Sequence, residues 1–365
     1  MIYRVIGLMS GSSLDGLDIA FVEFEEIAGK WQFNIVEASC ISYTAELESR
    51  LRLATTLNAF DYARLNAEYG HFLGNAVNDF IETNHLEYRV ALIVSHGHTT
   101  FHAPALFSSQ LGDGAAIAAI AGLPVVSDLR AMDVALGGQG APIVPMGEKL
   151  LFDGFQYFLN IGGIANISCH NNGEHIAFDV CAANRVLNML SQLVSKPFDE
   201  NGEIASSGRI NESLLEELNA LSYYELDYPK SLKNEFGTEI VFPLIQAHGL
   251  SVEDALATYV EHISIKIAAA IEMMHQKQNA EPTNQKIMIT GGGAFNVYLI
   301  SRIEFHLLPF SIEVVVPEKR IVEFKEALIM ALLGVLRWRE EVTVMSSVTG
   351  ASRSSIGGAL WMGAH

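Results

Sequence analysis

An α/β fold of two domains is predicted by three observations. Strand-like and helix-like runs alternate along most of the chain. Its 365 residues are enough for two domains, at roughly 100–200 residues each. One strand–turn–strand plan also occurs twice, as VIGLMSGSSLDGLDIAFVEF near the start and YFLNIGGIANISCH near the middle.

The elements follow in order. IYRVIGLM and LDIAFVEF are β-rich and straddle the first small-residue turn, and WQFNIVEASCISY reads as a third strand. Residues 45–86 carry helical spacing, with Leu51, Leu65, Tyr69, Leu73, Val77 and Phe80 at three- and four-residue steps. ALIVSHG and LPVVSDLR read as buried strands, with a helix predicted over 112–121. GGQGAP is a Gly-rich break at 137–142, and it sets the expected domains at 1–140 and 141–365. QYFLNIGGIANISCHNNGEHIAFDV then gives strand, turn, strand, turn, strand. A long helix is predicted over 254–277. KIMIT-GGGAFN-VYLISRI reads strand, glycine turn, helix; EVVVP is a further strand and EFKEALIMALLGVLRW a helix.

Composition narrows the function classes. Half the residues are hydrophobic, which allows a large core. With 23 basic and 42 acidic residues the formal charge is −19, which argues against nucleic acid or an anionic membrane as partner. An anionic ligand must therefore be held locally, by backbone N–H groups, helix N-termini and a metal ion. The three cysteines, Cys40, Cys169 and Cys181, are odd in number and lack zinc spacing, as expected of reduced thiols in a cytoplasm. The N-terminus lacks a signal-peptide apolar run, and ALIMALLGVL is too short to span a bilayer. A soluble, cytoplasmic protein is expected.

Several motifs suit chemistry, each with a plainer alternative. The turn GSSLDG has no P-loop lysine, and a strand follows it where a P-loop or dinucleotide fingerprint needs a helix. Its small residues let a phosphate approach the backbone, Ser10, Ser12 and Ser13 add hydroxyls, and Asp15 and Asp18 suit Mg2+ or its waters. Two ordinary tight hairpins explain the repeated pattern equally. GGGAFN, with Gly291, Gly292, Gly293 and Asn296, is either a ligand-facing turn or a tight strand-to-helix turn. SHGHTTFH carries His96, His98 and His102 without a helical His pair, which favours hydrogen bonds to a polar substrate over a metal; no metal site is predicted. SDLRAMD puts Asp128, Arg130 and Asp133 after a strand, where α/β proteins gather ligand-binding residues, although a surface ion pair has the same look. Asp179 ends a strand as a general base or as the cap of the next helix. Glu326 lies on an apolar helix, facing either a pocket or solvent.

Taken in order, these segments resemble the anhydro-N-acetylmuramic acid kinases, nearly end to end. MSGSSLDGLD looks like the family's first phosphate loop, VSHGHTTFHAP like its SHGQT segment, and GLPVVSDLRAMDVALGGQGAPIVP is the most specific piece. NIGGIANIS resembles the second phosphate loop, GGGAFN the nucleotide-side turn, and EFKEAL and SVTGAS the late segments. The resemblance implies a two-lobed actin-like ATPase fold. Each lobe is ribonuclease-H-like, a mixed sheet with flanking helices, and ATP lies in the cleft between them. It implies a kinase using ATP and Mg2+ that opens the 1,6-anhydro ring of a small amino sugar with water and phosphorylates the 6-oxygen, and it suggests a homodimer. By the same carry-over Asp179 is the catalytic base. Gly11, Ser12, Ser13, Leu14, Asp15, Gly16, Leu17, Asp18, Gly162, Gly163, Asn166, Gly291, Gly292, Gly293 and Asn296 hold the nucleotide. His96, Thr99, Arg130, Asn184 and Glu326 hold the sugar. Three departures fall where the sugar pocket is expected: DVCAAN for the usual DTGPGN, SHGHT for SHGQT, and YPKSLKNEFG for a PPKSTGREYF-like segment. A related kinase for another sugar, or a nucleotide-binding sensor, is the alternative they raise.

Overall fold

The computed structural model describes residues 1–11, 14, 16–171, 174–228, 230–278 and 285–363. Its strands are β1 (Ile2–Ser10), β2 (Leu17–Ile27), β3 (Lys30–Ile41), β4 (Leu92–Ala103), β5 (Phe107–Leu111), β6 (Val125–Ser127), β7 (Tyr157–Ile161), β8 (Ile164–Asn171), β9 (Glu174–Ala182), β10 (Gln285–Thr290), β11 (Ile312–Val315) and β12 (Ala359–Trp361). The chain forms two compact units, 1–153 with 324–365, and 154–323.

The first unit holds a seven-stranded sheet in the order β12-β6-β4-β1-β2-β3, with β5 paired to β4. β1, β2 and β3 run antiparallel, and β4 and β6 add in parallel on the other side of β1. The second unit holds β11-β10-β7-β8-β9. Here β7, β8 and β9 run antiparallel, and β10 and β11 add in parallel beside β7. Read from the antiparallel edge, β3-β2-β1-β4-β6 and β9-β8-β7-β10-β11 correspond, with β12 and β5 added in the first unit, so the duplication in the sequence is a duplicated ribonuclease-H-like sheet. Each small-residue turn joins the first two antiparallel strands of its sheet.

Helix packing follows the apolar spacing. The helix Ala59–Thr83 is capped by Asn58, whose side chain accepts the Asp61 N–H, and it buries Leu65, Tyr69, Leu73, Val77 and Phe80. Those side chains share a core with Ile6, Leu8, Ile19 and Phe21. In the second unit the helix Val252–Gln278 places Tyr259, Ile263, Ile267 and Ile271 in one core with Ile167, Phe178 and Ile289. No helix among the described residues is long and apolar enough to cross a membrane.

The division differs from the expected 1–140 and 141–365. The helix Pro145–Leu151 stays with the first unit, since a Cβ on Gly147 would stand 2.6 Å from Ile329. The helix Lys319–Trp338 loses regular geometry at Phe324 (φ −117°, ψ 15°), and the first unit resumes there. The reason is close packing on the first sheet. A Cβ on Gly7 of β1 would overlap the Ala327 carbonyl, and one on Gly334 would overlap Val94 of β4. Residues Leu328 to Leu333 are fully buried. The apolar run that reads as the end of the second domain is thus part of the first unit's core.

Gly7→Ala should therefore lower stability by about 1–3 kcal/mol or more through overpacking. Denaturant unfolding followed by circular dichroism measures this, and an unchanged midpoint would contradict the packing described.

Candidate active site

In the first unit, β1 delivers Ser10 to the mouth of the first turn. Ser10 is buried, and its hydroxyl lies 3.2 Å from His98 Nδ1. Tyr43 donates to Ser10 Oγ at 2.8 Å, and the Tyr43 and Tyr69 hydroxyls are 2.8 Å apart. The proton order follows from this. Tyr43 gives its proton to Ser10, so Tyr69 donates to Tyr43 and Ser10 donates to His98 Nδ1, which leaves Nε2 as the protonated nitrogen of that ring. Burial raises the pKa of both tyrosines and lowers that of His98, so the whole chain is neutral.

The turn itself is anchored by apolar side chains. Leu14 takes a left-handed conformation (φ 61°), donates to the Gly11 carbonyl at 3.3 Å, and buries its side chain. Leu17 is buried opposite Ser10, and Asp18 stands opposite Met9 at the start of β2. A Cβ on Gly16 would lie 2.7 Å from the Ile41 carbonyl. Leu14 and Leu17 therefore offer only main chain to a ligand. Ser12, Ser13 and Asp15 lie outside the described residues.

Three further residues of this unit, His96, Glu326 and Asp133, lie around Arg130. His96 Nδ1 donates to the Gly97 carbonyl at 2.8 Å, so its Nε2 accepts from Arg130 Nε at 3.0 Å. Arg130 Nη1 donates to the Gly140 carbonyl at 2.6 Å. Burial, with the neighbouring guanidinium, pushes His96 down to about 3, and burial pushes Arg130 down to about 10. Nη2 makes no hydrogen bond among the described residues. Glu326 is close enough to Arg130 to feel its charge, yet its carboxylate also has no hydrogen bond or ion pair among them; burial raises its pKa against the pull of Lys325 and Arg130. Thr99, on β4, accepts weakly from Gln110 Nε2 at 3.4 Å. Asp133 closes the group from behind. It accepts from the Gly140 N–H at 2.8 Å and from Thr349 Oγ1 at 2.6 Å, and so pins the GGQGAP loop. That role was not legible in sequence, because Thr349 is 216 positions away.

In the second unit, Asp179 sits where β9 bulges. Asn166 pairs with Asp179 while the preceding Ala165 pairs with Cys181, which leaves Val180 as the extra residue. Bulges re-aim side chains in this way beside many active sites. Asp179 Oδ2 accepts the Leu232 N–H at 2.8 Å, its carbonyl accepts the Tyr223 hydroxyl at 2.6 Å, and its N–H donates to the Lys230 carbonyl at 3.2 Å. Oδ1 has no partner among the described residues. Burial raises the Asp179 pKa, partly offset by the Leu232 N–H. The side chain does not cap the following helix, because the cap residue is Ala183.

The second turn and the glycine turn meet through Asn184. The Gly162 and Gly163 carbonyls accept the N–H groups of Asn184 and Ala183 at 3.0 and 2.8 Å. Asn184 Nδ2 donates to the Ile161 carbonyl at 2.9 Å, and a Cβ on Gly293 would stand 3.1 Å from its Oδ1. Gly291 (φ 81°) would bring a Cβ to 2.7 Å from both the Ile161 carbonyl and Asn160 Oδ1. Asn166 is exposed on β8. Asn296 spends its Oδ1 on the Leu299 N–H, capping the helix Val297–Leu307.

The buried neutral imidazole of His96 has a stability consequence. Below its ordinary pKa the unfolded chain takes up a proton that the folded chain refuses, so this contribution is full above about pH 6.5 and is lost as pH falls toward 3. Between pH 6.5 and 5 it amounts to about 2 kcal/mol. Unfolding titrations of the wild type and His96→Gln at both pH values should show a shallower acid loss in the variant.

A family model described as anhydro-N-acetylmuramic acid kinase matches residues 3–363. The anhydro-N-acetylmuramic acid kinase of Vibrio vulnificus strain YJ016 is 31% identical over 369 residues, covering 98% of this chain and 97% of that one. The enzyme of the same name from Methylobacterium nodulans is 33% identical over 395 residues, covering 97% and 98%. Among solved structures, the activator of the 2-hydroxyisocaproyl-CoA dehydratase from Clostridium difficile, with bound ADPNP, aligns at a TM-score of 0.47 with 14% identity, covering 92% of this chain and 96% of that one. The full-length match at this identity places the chain in the anhydro-N-acetylmuramic acid kinase family.

Proposed function

We propose that this chain is an ATP-dependent kinase that opens 1,6-anhydro-N-acetylmuramic acid with water and phosphorylates the released 6-oxygen. Family membership supports the reaction. The observation that carries the site is Asp179, a half-buried carboxylate with a raised pKa, one oxygen held by a backbone N–H and the other unpartnered among the described residues. In this reading Asp179 Oδ1 takes a proton from water as the water oxygen bonds to the anomeric carbon. The bond from that carbon to the 6-oxygen breaks. The freed 6-oxygen attacks the γ-phosphorus, and the bond from that phosphorus to the ADP oxygen breaks. Phosphoryl transfer of this kind depends mainly on positioning and on charge stabilisation.

Arg130 holds the sugar through Nη2, with His96 and Gly140 fixing the guanidinium plane, while Glu326 and Thr99 accept from hydroxyl or amide groups. In this reading the nucleotide is held by the backbone of Gly11, Leu14, Gly16, Leu17 and Asp18, and by that of Gly162, Gly163, Asn166 and Gly291–Gly293. Asn184 serves this reading as a tie that holds the second turn, through its bond to the Ile161 carbonyl, and Asn296 as the cap of the helix that follows the glycine turn. Mg2+ needs only one or two carboxylates beside phosphate and water. Asp18, half-buried at the first residues of β2, fits that demand. Bound there, the ion offsets phosphate charge. A cytoplasmic location and a homodimer complete the reading.

ADP release with Mg-ATP, with and without the anhydro sugar, tests it. Strong stimulation by the sugar is expected. ATP binding without stimulation would overturn the substrate and favour another sugar, the reading motivated by Cys181-Ala182-Ala183 and His98. Asp179→Asn should lower kcat by about 10²–10⁴-fold with ATP affinity kept. Because its pKa is raised, the acid limb of kcat against pH should fall above the ordinary aspartate range. Arg130→Met should raise the sugar KM more than it lowers kcat.

A further inference from the structure

The second unit contains a pocket that the proposed reaction leaves unused. It has a cavity volume of about 50 Å3, is partly open to solvent, and is lined by Phe178, Val180, Tyr224, Lys230, Lys266 and Met273, among others. Lys266 projects from the helix Val252–Gln278. Its Nζ lies 4.5 Å from the Tyr224 ring centroid and donates to the Asn219 carbonyl at 3.0 Å. Lys230 Nζ lies 4.8 Å from the Tyr223 ring and 5.7 Å from the Phe178 ring, and donates to the Leu226 carbonyl at 2.9 Å. Each ammonium has three donors and spends one of them on a carbonyl.

The charge balance of the pocket is unusual for this chain. Acidic residues outnumber basic ones by 42 to 23, yet neither lysine forms an ion pair among the described residues. Asp227 acts on Lys230 through space, whereas the Cys181 thiol, pushed up to about 12 by burial, is uncharged and offsets neither lysine. Each ammonium is partly desolvated, and Lys266 also feels the like charge of Lys230. Two half-buried cations of one sign sharing a pocket are unfavourable unless an anion joins them.

We propose that this pocket binds a small oxyanion, a phosphate or a compact carboxylate, between the ammonium groups of Lys230 and Lys266. Phe178, Val180 and Met273 form its apolar wall. The aromatic faces of Tyr223, Tyr224 and Phe178 hold the ammonium groups in place by cation–π attraction, so the free donors are ordered before the ligand arrives. The proposal does not rest on the sugar reaction, although the pocket adjoins Asp179, whose N–H donates to the Lys230 carbonyl.

The test is thermal unfolding of the full chain with saturating ADP present, so that the nucleotide loops are already engaged. Sodium phosphate, sodium acetate and sodium chloride are compared at equal ionic strength. Phosphate, acetate or both should raise the wild-type Tm by about 2–4 °C over chloride, and which of them does so assigns the head group. Lys266→Met and Lys230→Met should each lose that rise, and Lys266→Arg should keep it. Lys266→Met should also melt higher than wild type in chloride, since one of two repelling charges is gone. An equal oxyanion response in the wild type and both Met variants would overturn the proposal, as would no response in the wild type. Lys230 is the more exposed of the two positions, so its variant carries the test if Lys266→Met does not fold.

Discussion

The first unit depends on the contact between β1, β4 and the apolar half of the helix Lys319–Trp338. Two glycines make it possible, Gly7 against Ala327 and Gly334 against Val94, because either Cβ would occupy space already filled. That contact does more than bury surface. It places Glu326 one residue before the tightest point, and it fixes the end of β1 that carries Ser10. A helix from the far end of the chain therefore sets both a sugar-site candidate and the entrance to the first small-residue turn.

The second constraint is electrostatic. His96, His98 and Tyr69 are buried, Tyr43 is half-buried, and all four are held neutral; Tyr69, Tyr43 and Ser10 donate in turn toward His98, while His96 accepts from Arg130 and donates to the Gly97 carbonyl. Neutral partners position Arg130 without cancelling its charge. A carboxylate in the place of His96 would neutralise the guanidinium. With an acceptor nitrogen there, His96 holds Arg130 without neutralising it, in a chain whose overall field repels anions.

The departures from the family pattern become physical statements in this frame. His98, the departure in SHGHT, accepts from Ser10 through Nδ1. Ala182 and Ala183 are buried, with Ala182 accepting from Tyr259 at 2.7 Å and Ala183 donating to Gly163 at 2.8 Å. Leu232, inside the altered YPKSLKNEFG segment, supplies the N–H that holds Asp179. A backbone donor does not depend on the side chain present, which is how the catalytic candidate keeps its partner after the change.

What the sequence by itself determined is local. Period-two strands around small-residue turns identified both sheets, because strand alternation and tight turns are encoded within a few residues. Asp179 and Arg130 were legible for the same reason, as charged residues at strand ends. The tertiary structure alone decided the rest. Residues 324–365 return to the first sheet, Thr349 clamps Asp133, and Asn184 is spent on the Ile161 carbonyl. Lys230 and Lys266 are brought together over one pocket from segments 36 positions apart. Each of these is a contact between distant segments, decided by which surfaces pack together. Local spacing carries no record of that choice.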